Sequence, residues 1–348
     1  MARAVGARLE EARVAEAGAN SHAGDPSLLR SRQTVGAARL SVASNIVLVV
    51  AKLVVGWVTG SVSVVAEALH SGNDLLAAAI ALGAVRQASK PPDLDHPYGH
   101  GKFESLSGAI EAGLIAMAAA GIVWSAVRRL RGGGEIESVG AGLAVMAVSA
   151  TMNALVSAHL LRVAKRHQSI ALEADGWHLR TDVYTSLGVL VGLALVGITG
   201  QKLLDPIAAL VVAGVILHAA YSLTRKAVRQ LLDSPVDPQI ESLIANIVHT
   251  HSGQFVEAHK LRTRRAGAEI HVDLHLVVCP DMHVSLAHDL ASHIEDDIHA
   301  QVPGATAMIH IEGPEPGWAP LATGDEPPFC VRECDAATDD ECPRARRP

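Results

Sequence analysis

Six apolar segments of membrane-crossing length dominate this chain, at roughly residues 39–59, 62–85, 106–128, 139–162, 180–199 and 205–223. Each is near the ~20 residues that a helix needs to cross a bilayer. Backbone groups in lipid must be satisfied within the segment itself, so such runs fold as helices. The remaining composition agrees: 49% of the 348 residues are hydrophobic, 19% are charged, and mean hydropathy is +0.26. Aromatic residues make up only 3%, and Ala, Val, Leu and Gly supply the apolar character. Small residues suit close helix–helix contact in lipid, where packing and not water expulsion drives association. A single small soluble core is excluded, and the net charge of −7 argues against nucleic acid as a partner.

Basic residues set the expected orientation. Arg86, Lys90 and Lys102 lie between the second and third segments. Arg162, Lys165, Arg166 and Arg180 lie between the fourth and fifth, and Arg225, Lys226 and Arg229 follow the sixth. All fall on one side with the N-terminal arginines, whereas Arg128, Arg129 and Arg131 fall on the other. The majority puts both termini in the cytoplasm. Residues 1–34, rich in Ala, Arg, Glu, Gly and Ser, read as a disordered cytoplasmic arm, and 35–233 as a transmembrane domain.

After Asp233-Ser234-Pro235 the texture becomes that of a small α+β domain over 234–313. Pro238–Thr250 reads as an amphipathic helix, with Asp237 as its N-cap. Glu257–Arg265 and Ala268–Val278 alternate as two antiparallel strands about Ala266-Gly267. Ser285–Gln301 has helical periodicity, and Ala305–Ile311 reads as a short strand. This order predicts helices packed on one face of a three-stranded sheet. Pro, Gly and acidic residues then dominate 314–348, read as a flexible tail carrying Cys330, Cys334 and Cys342.

The polar residues inside the apolar runs carry the functional signal, because ionisable groups in a membrane are costly and rare. His70 and Asp74 occur four apart in the second segment, and His178 and Asp182 four apart at the mouth of the fifth. On a helix that spacing stacks the two side chains on one face. Two such half-sites facing each other would make a cage of two imidazoles and two carboxylates. That donor set suits zinc first, with cobalt, cadmium, iron(II) and manganese also open. Imidazole titrates near neutrality, so a site that takes up protons as it releases metal would couple the two fluxes. Glu111 and Asn153 are further polar residues in the spans.

A second group is Asp93, His96 and His100, which a Pro/Gly turn between the second and third segments draws together. A third lies among the many histidines of the soluble domain. His259, His275 and His310 stand on strands or strand ends, where neighbouring strands bring side chains together. His288 stands on the following helix, and Glu312 lies two residues past His310.

With these pieces in order, the chain resembles the cation diffusion facilitator family over about residues 35–313. The matching stretches are His70-Ser71-Gly72-Asn73-Asp74, His96-Pro97-Tyr98-Gly99-His100-Gly101-Lys102-Phe103-Glu104 and His178-Leu179-Arg180-Thr181-Asp182. In the soluble domain they are Ala258-His259-Lys260-Leu261-Arg262-Thr263-Arg264 and His310-Ile311-Glu312. The resemblance implies a homodimer of six-helix protomers with cytoplasmic ferredoxin-like domains, exporting divalent metal in exchange for protons. It places a transport site on His70, Asp74, His178 and Asp182 and a loop site on Asp93, His96 and His100. A cytoplasmic site would fall on His259, His275, His288, His310 and Glu312. Glu312 stands where some relatives carry aspartate, and His70 where some members use aspartate. More imidazole resembles the zinc-preferring members.

Two rivals follow from the same residues. A metal sensor or scaffold would bind without moving ions, but would not need paired ligands in mid-membrane. A membrane enzyme with a hydrolytic zinc site would need an open coordination position and a substrate pocket, and four protein ligands leave no obvious vacancy. The expectation is therefore a transporter and not an enzyme, its partners being divalent metal, protons, the lipid bilayer and a second copy of the chain. A bacterial inner membrane is the expected location.

Overall fold

The computed structural model describes residues 26–60, 62–131, 142–201 and 203–314, which divide into two compact units at Leu232/Asp233. The first unit holds six long helices among its described residues. They are α1 (Pro26–Thr59), α2 (Val62–Ala88), α3 (Lys102–Leu130), α4 (Gly142–His167), α5 (Ile170–Thr199) and α6 (Leu204–Leu231). At 26 to 34 residues, they run about 39 to 51 Å at the α-helical rise.

Among the described residues, α1, α2, α3, α5 and α6 each hold a stretch long and apolar enough to cross a membrane. Helix α4 carries the fourth predicted segment, with Ser149, Thr151, Asn153, Ser157 and His159 as its polar members. The start of that segment, and the Cys330, Cys334 and Cys342 tail, lie outside the described residues, as do 1–25. The first helix begins at Pro26, inside the stretch read from sequence as an irregular arm. Proline suits a first helical position because its missing N–H has no intrahelical acceptor there. Ala37 and Ala38 are already buried, so tertiary contact supports this polar extension.

Contacts run around the bundle in the order α1, α2, α3, α6, α5, α4 and back to α1, and α2 also meets α5 across the ring. Burial is inverted relative to a water-soluble protein. Alanines such as Ala38, Ala78, Ala81 and Ala112 fill the helix contacts, while Trp57, Val58, Leu69, Met117 and Val211 point outward. Inside lie Lys52, Asp74, Glu104, Glu111 and Asp175. Small residues at the contacts and large apolar ones outside are what lipid selects. Helix α5 has defined ends: the Ser169 hydroxyl accepts from the Leu172 N–H, and Gly200 closes it at φ 71°. A residue with a Cβ is disfavoured in that left-handed conformation.

The second unit contains α7 (Pro238–Thr250), β1 (Glu257–Ala266), β2 (Glu269–Val277), α8 (Val284–Gln301) and β3 (Ala305–Glu312). The sheet order is β1-β2-β3, with β1 antiparallel and β3 parallel to β2. Period-two alternation gives the sheet two different faces. Ile270, Val272, Leu274 and Leu276 pack against Ile244 and Ile247 of α7 and Leu290, Ile294 and Ile298 of α8. The intervening residues of β2, His271, Asp273 and His275, lie on the face away from that core. The pairing slips between His259 and Arg262, with Lys260 at φ 52°.

Candidate metal centre

The meeting of α2 with α5 brings the two membrane half-sites together. His70 and Asp74 stand one turn apart on α2, and His178 and Asp182 one turn apart on α5. Ligand atoms of His70, Asp74 and Asp182 all lie within 4.8 Å of one another. His178 joins them through Asp74, its Nε2 lying 3.2 Å from Asp74 Oδ1. The four sequence-predicted residues therefore converge. Asp74 is buried, and Asp182 receives a further 3.4 Å hydrogen bond from the Asn153 amide of α4. A cavity of about 130 Å³ opens beside them, lined by His70, Asp74, Asp182 and hydroxyls such as Ser149 and Thr185. Two imidazoles and two carboxylates supply enough donors to close a four-coordinate shell around a divalent ion.

Two cavity residues were missed by sequence reasoning. Lys52 of α1 is buried, and its ammonium lies 3.0 Å from Glu67 Oε1 and 2.7 Å from Ser71 Oγ. Both groups line the same cavity as the carboxylates. A readable signal existed for each. Lys52 is a charge within an apolar segment, and Glu67 precedes His70 by three residues, one helical turn away on the same face. Glu111, by contrast, is not joined to the quartet. It is fully buried on α3, with the Ser107 hydroxyl 3.4 Å away.

The loop group also assembles. Asp93 Oδ1 accepts the backbone N–H groups of Asp95 (3.1 Å) and His96 (2.7 Å), an Asx turn that fixes the carboxylate. Its Oδ1 lies 3.2 Å from His96 Nδ1, and its Oδ2 3.2 Å from His100 Nε2. The two imidazole rings are 4.4 Å apart, and Phe103 stacks on His100, which is buried. The His96 backbone N–H, which favours the ionised form, holds the Asp93 carboxyl below its ordinary value of 3.8. For a carboxyl so lowered, the stabilisation is present above the unfolded value and is lost as pH falls through the lowered one. In an acid titration followed by NMR, the Asp93-linked shift of the His96 amide should have its midpoint below 3.8. A midpoint at or above that value would mean that the turn does not favour the carboxylate.

In the soluble unit, strand register lines up His259, His275 and His310 across the three strands. Glu312 Oε1 lies 2.6 Å from His275 Nδ1, and Oε2 lies 3.3 Å from His259 Nε2. His310 Nε2 is 3.6 Å from the same carboxylate. The His275 hydrogen bond, more than any other interaction, holds the Glu312 carboxyl below its ordinary value. His259, His275 and Glu312 form a three-ligand group with His310 at its edge, whereas His288 is exposed on α8 and stands outside that group. Glu257, 3.3 Å from His259 Nδ1, is an unforeseen neighbour. Other histidines of the unit serve the fold. His299 Nδ1 contacts the Ala305 carbonyl, His283 caps α8, and His251 pairs with Asp297 at 2.9 Å.

Comparison with known proteins gives a consistent result for both units. Residues 38–232 match the family model described as Cation efflux transmembrane domain, and residues 236–314 that described as Cation efflux protein, cytoplasmic domain. The chain is 36% identical to an uncharacterized transporter of Synechocystis sp. over 78% of its own length and 88% of that protein's. It is 33% identical to metal tolerance protein 2 of Oryza sativa subsp. japonica, over 80% of this chain and 78% of the relative. The cation-efflux pump FieF of Yersinia pestis is also 33% identical, over 82% of this chain and 94% of the pump.

Proposed function

The chain belongs to the cation diffusion facilitator family of cation-efflux transporters, and on that premise we propose that it exports zinc in exchange for protons through the α2–α5 quartet. The observation that carries this reading is the convergence of His70, Asp74 and Asp182, with His178 bonded to Asp74, beside a cavity inside the helix bundle. Carboxylates and imidazoles at that depth are costly unless an ion or a proton compensates them. Zinc suits the mixed nitrogen and oxygen donors and accepts tetrahedral coordination readily.

In this mechanism the metal enters from the cytoplasm, and the four side chains replace its water shell. The bundle then rocks to open the site on the other side, where protons compete for the imidazoles and help eject the ion. The transport domain spans 35–233, both termini are cytoplasmic, and the protein sits as a homodimer in a bacterial inner membrane. The 234–313 domain binds metal through His259, His275, His310 and Glu312, and Asp93, His96 and His100 hold a further ion. Metal bound at these outlying groups biases the rocking by favouring one arrangement of the dimer over the other.

Flux into proteoliposomes tests the reading, using zinc, cobalt, cadmium, iron(II) and manganese in turn under an imposed pH gradient. Zinc should enter fastest, and collapsing the gradient should slow it. Tight zinc binding without flux of any of the five metals would leave a sensor or scaffold. Flux that ignores the gradient would remove the proton exchange.

A further inference from the structure

A buried ammonium beside a divalent-cation site needs an explanation, because it repels the ion that the site is built to hold. Lys52 is that ammonium. Its side chain is 4% exposed, and it reaches from α1 to Glu67 Oε1 at 3.0 Å and Ser71 Oγ at 2.7 Å, both on α2. Glu67 is 38% exposed and lines the same cavity as Asp74 and Asp182. Three carboxylates and one ammonium therefore line this space, and with neutral imidazoles the lining carries two net negative charges. That matches one divalent ion. Glu67 without Lys52 would add a third negative charge, which tightens binding but opposes release. Lys52 without Glu67 would leave a single net negative charge and weaken capture.

We propose that Lys52 and Glu67 form a charge-setting pair, in which the lysine cancels the glutamate so that the cavity presents only the charges of Asp74 and Asp182 to the metal. The pair rests on the reading of the quartet as the metal site and adds to it a determinant of how tightly the ion is held. A transporter must release its ion in every cycle, so a cavity charge matched to the cargo serves turnover better than a larger one. The ion pair also keeps Lys52 turned toward Glu67 and Ser71. The lysine thus acts on the metal through the field in the cavity and not by contact.

The test is a double-mutant cycle on zinc affinity in the full-length, detergent-solubilised protein, with the Asp182→Ala variant marking binding outside the quartet. Lys52→Met should tighten quartet binding roughly tenfold and slow flux, whereas Glu67→Gln should weaken binding roughly tenfold. The double variant Lys52→Met/Glu67→Gln should return to within about threefold of wild type, because its cavity regains two net negative charges. A purely structural ion pair predicts weakening in both single variants, and a Glu67 that ligates the metal directly predicts a double variant as weak as Glu67→Gln; either result overturns the proposal. Should either single variant fail to fold, the reversed pair Lys52→Glu/Glu67→Lys decides the matter. It keeps the net charge and should bind within about threefold of wild type, and a loss of tenfold or more refutes the pair. Wild-type protein without any Asp182-dependent binding would overturn the transport site and this inference together. Binding that lacks the opposed signs overturns the pair alone.

Discussion

Asp182→Ala is expected to abolish metal flux and to weaken quartet binding by a hundredfold or more. The carboxylate is one of two anionic donors in the cage, with its ligand atom within 4.8 Å of those of His70 and Asp74. Removing it leaves a dication facing one carboxylate and two imidazoles, with water as the only substitute fourth donor. Groups that merely orient a ligand typically cost about 10–100-fold in affinity when lost, so a ligand should cost at least the upper end. The structure supplies the graded comparison. Asn153 touches Asp182 by a 3.4 Å hydrogen bond from its amide nitrogen, a donor that orients the carboxylate. Asn153→Ala should therefore weaken binding about tenfold and slow flux without abolishing it. Proteoliposome flux and equilibrium zinc binding, measured on the same preparations, check both variants. Undiminished zinc flux in Asp182→Ala would sink the quartet as the transport path.

This site was legible in the sequence because its signal is local. Two ligands four residues apart, repeated in two apolar segments, place the site on two helix faces before any packing is known. The cavity partners of the quartet were harder to find. That Lys52 of α1 reaches Glu67 depends on α1 packing against α2 and on the rotation of each helix, and hydropathy alone does not set that rotation. Segment lengths were legible for the same local reason, but helix ends were not. Residues 26–38 are too polar to register as a span, yet α1 includes them, because backbone hydrogen bonding continues past the lipid wherever packing supports it. In the soluble unit, strand alternation pointed to His259, His275 and His310, and register then put them side by side. His288 stands exposed on α8, outside that group within one chain, because a helical position alone does not say which face it occupies.

Gly108→Leu is expected to disable the protein without touching a ligand. A Cβ built at Gly108 of α3 would meet Ile170 Cγ2 at 2.3 Å and the Ile170 carbonyl oxygen at 3.4 Å. Ile170 opens α5 directly after the Ser169 cap, so this close approach seats the first turn of the helix that carries His178 and Asp182. The isoleucine tip could yield to a methyl group, but the backbone behind it cannot yield to a leucine. Overpacking of this kind typically costs about 1–3 kcal/mol, and here it would be relieved by displacing α5. A displaced α5 pulls His178 from Asp74 and Asp182 from His70, since each pairing spans the α2–α5 contact. Gly113 of the same helix provides the control, because it is exposed and a Cβ there meets nothing within 4 Å. Gly113→Leu adds the same side chain and the same loss of backbone freedom, but faces outward. Melting followed by size-exclusion chromatography in detergent, together with zinc affinity, should show Gly108→Leu several degrees less stable and at least tenfold weaker. Gly113→Leu should match wild type in both. Equal behaviour of the two variants would show that the α3–α5 seat does not position the site.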